Sequence, residues 1–333
     1  MHSGAAHEGL LGARGLLPRT RSGSWHGAPR SALPRALGPA VGNAEVPGGS
    51  AQVPCRSWVT DSSTDRVLSA SSQRYIMLPN HPPLSGRVAL VTGVSRRTSI
   101  GAGIADRLHR SGATVVATGW PAHDDEMPWG AQDFSPEFEL RHRDLEEPTA
   151  PARLVDEVVD DHGRIDIVVA THARSSSQAL DELTIDELHR SWAANVASVL
   201  LLAQQFARRH APPSTPAAPT GRMLWFTSGQ HRGPMPDQLP YTVTKAALHG
   251  MTASLDRALS AARIIGNCIN PGPVDTGWAT PDVHARVAEM FPDGRWGTPT
   301  EIADVVHFLV SDQGAWIRGQ VLDCEGGFYR YPS

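Results

Sequence analysis

Lysine is almost missing from this sequence. Among 333 residues there is one, Lys245, against 29 arginines. Every other basic side chain is a guanidinium, so whatever depleted lysine elsewhere spared an ammonium at this position. Cysteine is scarce as well. Cys55, Cys268 and Cys324 are odd in number and share no C-x-x-C spacing, which excludes a disulfide framework or a zinc ribbon. Their scarcity fits a reducing compartment, and a cytoplasmic location is expected. No apolar run approaches the roughly 18–20 residues that a membrane-spanning helix requires, so no membrane partner is expected. The 15 histidines contain no H-E-x-x-H or similarly spaced pair. The nearest metal candidate, His123-Asp124-Asp125-Glu126, reads as a solvated loop, and no metal is expected.

The net charge of −4 conceals two regions. Residues 1–84 carry eight arginines against four acids, whereas residues 85–333 carry 22 basic and 30 acidic groups. An acidic body without an arginine-rich helix face excludes nucleic acid as the principal partner. The first 84 residues also hold ten glycines and nine prolines with no sustained period of 2 or 3.6. Such a stretch cannot bury enough apolar surface to offset its ordering entropy, and a disordered leader is expected. An Arg-rich transit peptide and an initiation at Met77 are the alternatives; a chain beginning at Met77 is expected to keep fold and activity.

From Leu84 onward strand and helix patterns alternate. Short apolar strands are expected at 87–93, 113–119, 138–145, 165–170, 222–228, 263–269 and 319–324. Helices are expected at 100–112, 149–163, 184–210, 241–260 and 299–311, the third opened by a Thr184/Glu187 capping box and the last by Thr298-Pro299-Thr300-Glu301. Near-continuous apolar strands separated by helices predict an α/β fold: a doubly wound (Rossmann) parallel seven-stranded sheet with helices on both faces, in a single domain spanning 85–333. Segments 229–240 and 277–295 read as loops.

Three constellations carry chemistry. "TGVSRRTSIGAG" (92–103) joins the first strand to a helix N-terminus through a glycine turn, where free backbone N–H groups and the helix dipole suit a pyrophosphate. Tyr241-x-x-x-Lys245 puts a phenol and an ammonium on one helix face. The cation favours the phenolate, which makes the tyrosine usable as a general acid/base. Ser228 stands where the fifth strand ends, at the edge of the sheet where ligands bind in open α/β folds, and Asn195 interrupts an otherwise apolar helix.

Taken with Asp144-Leu145, "NPGPVDTGW" (270–278) and the segment 297–328, these motifs resemble the short-chain dehydrogenase/reductase superfamily, and within it the β-ketoacyl-carrier-protein-reductase-like branch. The resemblance covers residues 84–330. It implies that Ser228 hydrogen-bonds the substrate oxygen, Tyr241 exchanges the proton, Lys245 holds the nicotinamide ribose, and Asn195 supports a proton-relay water. It further implies a dinucleotide cradle from Gly93, Val94, Ser95, Arg96, Arg97, Ile100 and Gly101, with Asp144 and Leu145 at the adenine, Ala170 at the fourth strand's end, and Pro271, Gly272, Val274 and Thr276 flanking the nicotinamide. The implied activity is hydride transfer between a nicotinamide cofactor and a small-molecule carbonyl or alcohol, by a homotetramer built through the helices at 184–210 and 241–260.

The chain departs from the family pattern in three places. The glycine turn is two residues longer, with Ser99 at its middle glycine; N-N-A-G becomes Ala170-Thr171-His172-Ala173; and the connection 121–130 is extended, either as a lid or as a surface loop. The second strand ends in Gly119-Trp120 rather than in an acid, while Arg96 and Arg97 offer guanidinium to a 2′-phosphate. NADP(H) is therefore expected over NAD(H), which stays possible if Asp124, Asp125 or Glu126 folds back. An NAD-dependent hydroxyl dehydrogenase and a non-catalytic dinucleotide-sensing protein are the competing readings.

Overall fold

The structure, a computed structural model, describes residues 83–211 and 220–328. The leader, apart from its last two residues, and Met77 lie outside the described residues. Leu84, at the edge of that leader, is fully buried, and its N–H donates to the Ser111 carbonyl.

The strands are β1 (Val88–Thr92), β2 (Thr114–Gly119), β3 (Glu139–His142), β4 (Ile167–Ala170), β5 (Gly221–Phe226), β6 (Ile264–Asn270) and β7 (Val321–Asp323). They form one parallel sheet in the order β3-β2-β1-β4-β5-β6-β7. All five residues of β1 are buried, and their alternation divides two cores. Ala89 and Val91 face a cluster with α1 (Ile100–Arg110) and α9 (Pro299–Val310). Val88 and Leu90 face a second cluster with α3 (Ala150–His162) and α5 (Ser198–Arg209). A strand covered on both faces must be apolar on both, which is why its sequence shows no polar alternation. Gly103 lets α1 approach α9 closely: a Cβ there would stand 2.9 Å from the Pro299 Cβ.

The strand order reverses between β1 and β4. Thr92 pairs with both Thr118 and Ala170, so the carboxyl ends of β1, β2 and β4 are level and open a crevice at the switch point.

Four local features differ from the expected elements. The helix at 184–210 is broken into α4 (Ile185–Trp192), a π-helical turn (Ala193–Ala197) and α5. Its capping box is half formed: Thr184 accepts from the Glu187 N–H, but Glu187 sends its carboxylate to Arg174. The helix at 241–260 starts at Leu239 and breaks at Met251 into α6 (Leu239–Gly250) and α7 (Thr252–Leu259). Two segments read as loops contain helices, α2 (Pro121–Asp125) and α8 (Pro281–Ala288). The start of α8 carries the Thr-Pro signal seen at α9, with Thr280 accepting from the Val283 N–H. Among the described residues no helix is long and apolar enough to cross a membrane.

Candidate active site

The crevice begins at Gly93, whose φ of +78° turns the chain sharply out of β1. Only glycine fits there for a second reason: a Cβ would lie 2.6 Å from Thr171 Oγ1. Gly101, in the first turn of α1, would bring a Cβ to 2.5 Å from the Gly93 carbonyl oxygen. Both missing Cβ positions are occupied by neighbours, the Thr171 side chain above all, so the glycines let the turn close tightly against the end of β4 beneath the N-terminus of α1. Backbone N–H groups at a helix N-terminus are what a pyrophosphate binds. Ser99 also lines the cleft. The Ser99 hydroxyl folds onto the helix as its N-cap and accepts from the Ala102 N–H at 3.1 Å.

The cleft has a volume of about 270 Å³, and seven of the expected cradle residues line it: Gly93, Ser95, Arg96, Ile100, Gly101, Leu145 and Thr276. The others lie around it. Val94 is buried in the core beside α1, and Arg97 is exposed, its guanidinium 5.3 Å from the Phe134 ring. Asp144 accepts from the Glu146 N–H at 2.8 Å and so shapes the turn that carries Leu145. Ala170 is 2 % exposed and packs in the core; the wall there is formed by Thr171, His172 and Ala173. After β6, Pro271 borders a second cavity, Gly272 turns at φ +62° against Glu325, and Val274 is buried and bridges to Gly297.

The four expected catalytic residues sit on three elements, α6, the end of β5 and the π-helical turn, and none of them is among the residues lining that cleft. Lys245 is 2 % exposed, and its Nζ donates to the Phe226 carbonyl at 2.9 Å. Nζ also lies 5.5 Å from the centre of the Tyr241 ring, one helical turn back on α6. Burial lowers the Lys245 pKa from 10.5 to about 8. Tyr241 is the only tyrosine among the described residues, as Lys245 is the only lysine. Ser228 follows β5 by two residues, and the neighbouring Thr227 hydroxyl donates to the Lys245 carbonyl at 2.8 Å, tying the strand end to α6. Asn195 is fully buried in the π-helical turn. Its Oδ1 accepts from the Arg174 N–H, and its Nδ2 donates to the Arg174 carbonyl and the Thr244 hydroxyl. Both amide hydrogens are therefore used in clamping the chain after β4 onto α6.

Several cleft residues stood outside the expected site. His172 replaces a small residue of the family pattern. The Ser198 hydroxyl donates to the Ala194 carbonyl, so it accepts from His172 Nε2–H at 2.7 Å, which leaves Nδ1 to accept from Thr92 Oγ1. Burial pushes the His172 pKa down to about 3, with the Lys245 charge acting in the same direction, so the ring is neutral. Arg174 forms a two-pronged pair with Glu187 and a third contact with Glu146. The run His123-Asp124, expected to be solvated, instead turns inward on α2 and lines the cleft. All of these depend on partners at least five residues away, which no local pattern reports.

Residues 93–329 match the family described as Enoyl-(Acyl carrier protein) reductase. The uncharacterized oxidoreductase YjdA of Bacillus subtilis is 34% identical over 251 residues, covering 73% of this chain and 97% of that protein. The 3-oxoacyl-[acyl-carrier-protein] reductase MabA of Mycobacterium tuberculosis is 29% identical, covering 74% of this chain and 94% of its own length. Among solved structures, a short-chain dehydrogenase from Burkholderia cenocepacia in complex with NADP superposes with a TM-score of 0.63 at 30% identity, covering 74% of this chain and 98% of that one. With a parallel seven-stranded sheet, a glycine cradle at its switch point and this breadth of similarity, the chain belongs to the short-chain dehydrogenase/reductase family of nicotinamide-dependent oxidoreductases.

Proposed function

We propose that the protein is an NADP(H)-dependent reductase of small-molecule carbonyl compounds, reversible as an alcohol dehydrogenase. The observation that carries this reading is the buried Lys245 ammonium beside Tyr241 at the carboxyl edge of the sheet. Gly93, Ser95 and Gly101 would hold the pyrophosphate, with Asp144 and Leu145 at the adenine and Thr276 at the opposite wall. Bound there, the nicotinamide dinucleotide supplies or accepts the hydride. Ser228 donates a hydrogen bond to the substrate oxygen, and Tyr241 gives that oxygen its proton. The Lys245 ammonium favours the phenolate left behind. Asn195 holds the wall against which α6 is set.

Support for NADP(H) comes from Arg96, which lines the cleft, and from relatives. The Burkholderia enzyme above and the angucycline ketoreductase LanV were both solved with NADP. Arg97 is exposed against Phe134 and does not line the cleft, so Arg96→Ala is expected to weaken NADP(H) binding while Arg97→Ala leaves it near wild type. The decisive assay is nicotinamide absorbance with a panel of ketones, aldehydes and alcohols. Turnover is expected, and Ser228→Ala should lower kcat by about 10²-fold through loss of one donor to the developing oxyanion. Tight nucleotide binding with no turnover on any substrate would favour the dinucleotide-sensing reading instead.

We also propose a cytoplasmic homo-oligomer, a tetramer by family analogy. Cys268 and Cys324 are free thiols, which suits a reducing compartment. Ile185, Trp192 and Leu200 on α4 and α5, and Val243 on α6, are large apolar side chains left exposed. Light scattering is expected to read a multiple of 35.7 kDa, and Trp192→Arg to lower it; a monomeric wild-type chain would refute the proposal.

A further inference from the structure

The adjacent strands β5 and β6 each end in a turn that bears on the proposed reaction, and one buried carboxylate joins the two turns. After β5, Ser228 opens directly into a short helical turn, Gly229–His231, which Arg232 closes by donating its N–H to the Gly229 carbonyl at 2.9 Å. Glu325 lies two residues beyond β7 and is 7 % exposed. Its Oε1 stands 2.7 Å from Arg232 Nε, and its Oε2 accepts from Asn270 Nδ2 at 3.2 Å. Asn270, the last residue of β6, is fully buried, and its Oδ1 accepts from the Gly272 N–H at 3.2 Å. Gly272 rests on the stem of Glu325, where an added Cβ would stand 2.5 Å from the Glu325 Cβ.

Neighbours brace this junction. Asp323, which ends β7, accepts from Asn270 Nδ2 at 2.8 Å and from Arg232 Nη1 at 3.3 Å. His231 Nε2 lies 3.1 Å from the Asp323 carboxylate, and its ring meets the His249 ring at 4.6 Å, one helical turn beyond Lys245 on α6. A three-residue turn that opens with glycine and is closed by one backbone hydrogen bond has little stiffness of its own. Its direction is set by where His231 and Arg232 are anchored. A guanidinium–carboxylate pair is strong and geometrically specific, and Glu325 cannot shift without moving Asn270 and the turn at Gly272. We infer that Glu325 and Arg232 are positioning residues: Glu325, seated on the turn after β6, holds Arg232 and through it fixes the turn that presents Ser228 to the substrate oxygen. The inference rests on the reductase reading proposed above.

The test is steady-state kinetics of the full chain with NADPH and the best carbonyl substrate of the panel, beside a fluorescence titration of NADPH. Arg232→Ala and Glu325→Gln are each expected to lower kcat about tenfold, because a displaced donor no longer meets the developing oxyanion. NADPH affinity should stay within about twofold of wild type, and Arg232→Lys should recover part of the lost kcat. The deciding arm repeats both substitutions in Ser228→Ala. There neither should lower kcat further, since the donor they place is already gone. Losses that multiply in that background overturn the inference by showing a general structural role, and so does an unchanged kcat in both single variants. Should a single variant fold poorly, the Arg232→Ala/Glu325→Gln pair, which leaves no unpaired charge at position 325, is carried through the same cycle. A wild-type chain without carbonyl turnover would overturn the reductase reading and this inference together.

Discussion

Replacing Lys245 by methionine is expected to abolish turnover and yet leave the protein as stable as wild type or more so. Lys245 is 2 % exposed, and burial brings its pKa from 10.5 to about 8. That depression corresponds to about 3 kcal/mol of destabilisation carried by the charged form at neutral pH. Methionine fills a similar volume without the charge. It also loses the hydrogen bond to the Phe226 carbonyl, which returns about 1–2 kcal/mol. The balance is a gain of about 1–2 kcal/mol. Its sign follows from proton uptake: between about pH 8 and 10.5 the unfolded chain holds the lysine proton and the folded chain does not. Wild-type stability therefore rises relative to the variant across that window, and the gap is widest below it. Thermal melts at pH 7 and pH 10 read this directly. A methionine variant that melts well below wild type at pH 7 would show that burial of Lys245 carries no such cost.

Activity should move the other way. Lys245→Met, Lys245→Arg and Tyr241→Phe are each expected to lose about 10²–10⁴-fold in kcat, since they remove the proton-exchange group or its ammonium. Arginine fails because a planar fork cannot take the seat of a compact ammonium beneath β5. Tyr241→Phe should keep nucleotide affinity. A variant that retained more than about a tenth of wild-type kcat would exclude the altered group from the proton path.

Gly101→Ala is expected to remove nucleotide binding altogether. The new methyl carbon would lie 2.5 Å from the Gly93 carbonyl oxygen and 2.8 Å from Thr171 Oγ1. Neither neighbour can yield easily. Gly93 leaves β1 at a positive φ, and the Thr171 hydroxyl is bonded to the Thr92 carbonyl at 2.5 Å. The turn must open, with a stability loss of about 1–3 kcal/mol from overpacking. Nucleotide should then no longer raise the melting temperature. Gly250→Ala is the control, because a Cβ at the end of α6 meets nothing within 4 Å. Nucleotide affinity preserved in Gly101→Ala would mean that the dinucleotide lies elsewhere.

What the sequence by itself determined follows from short-range patterns. A strand buried on both faces must be largely apolar, so the five inner strands could be read as apolar runs, whereas β3 (Glu139–His142) and β7 (Val321–Asp323), at the sheet edges, contain no buried residue and gave a weaker pattern. Tyr241 and Lys245 share a face because a helix repeats every 3.6 residues. The glycine turn could be recognised because each glycine answers a local steric demand. Tertiary structure decided the rest. Arg96 and Arg97 are adjacent and chemically identical, yet one enters the cleft and the other lies over Phe134. Asp124 read either as one acid of a solvated run or as one that folds back, and only α2 decided between them by turning it onto Arg96 and Trp129. The π-helical turn that buries Asn195, and the neutral His172 beside it, arise from contacts between β4, α5 and α6. Side-chain periodicity reports which face of an element is covered. It carries no record of which distant residue covers it, because that is set by the paths of the intervening chain and by packing across the sheet.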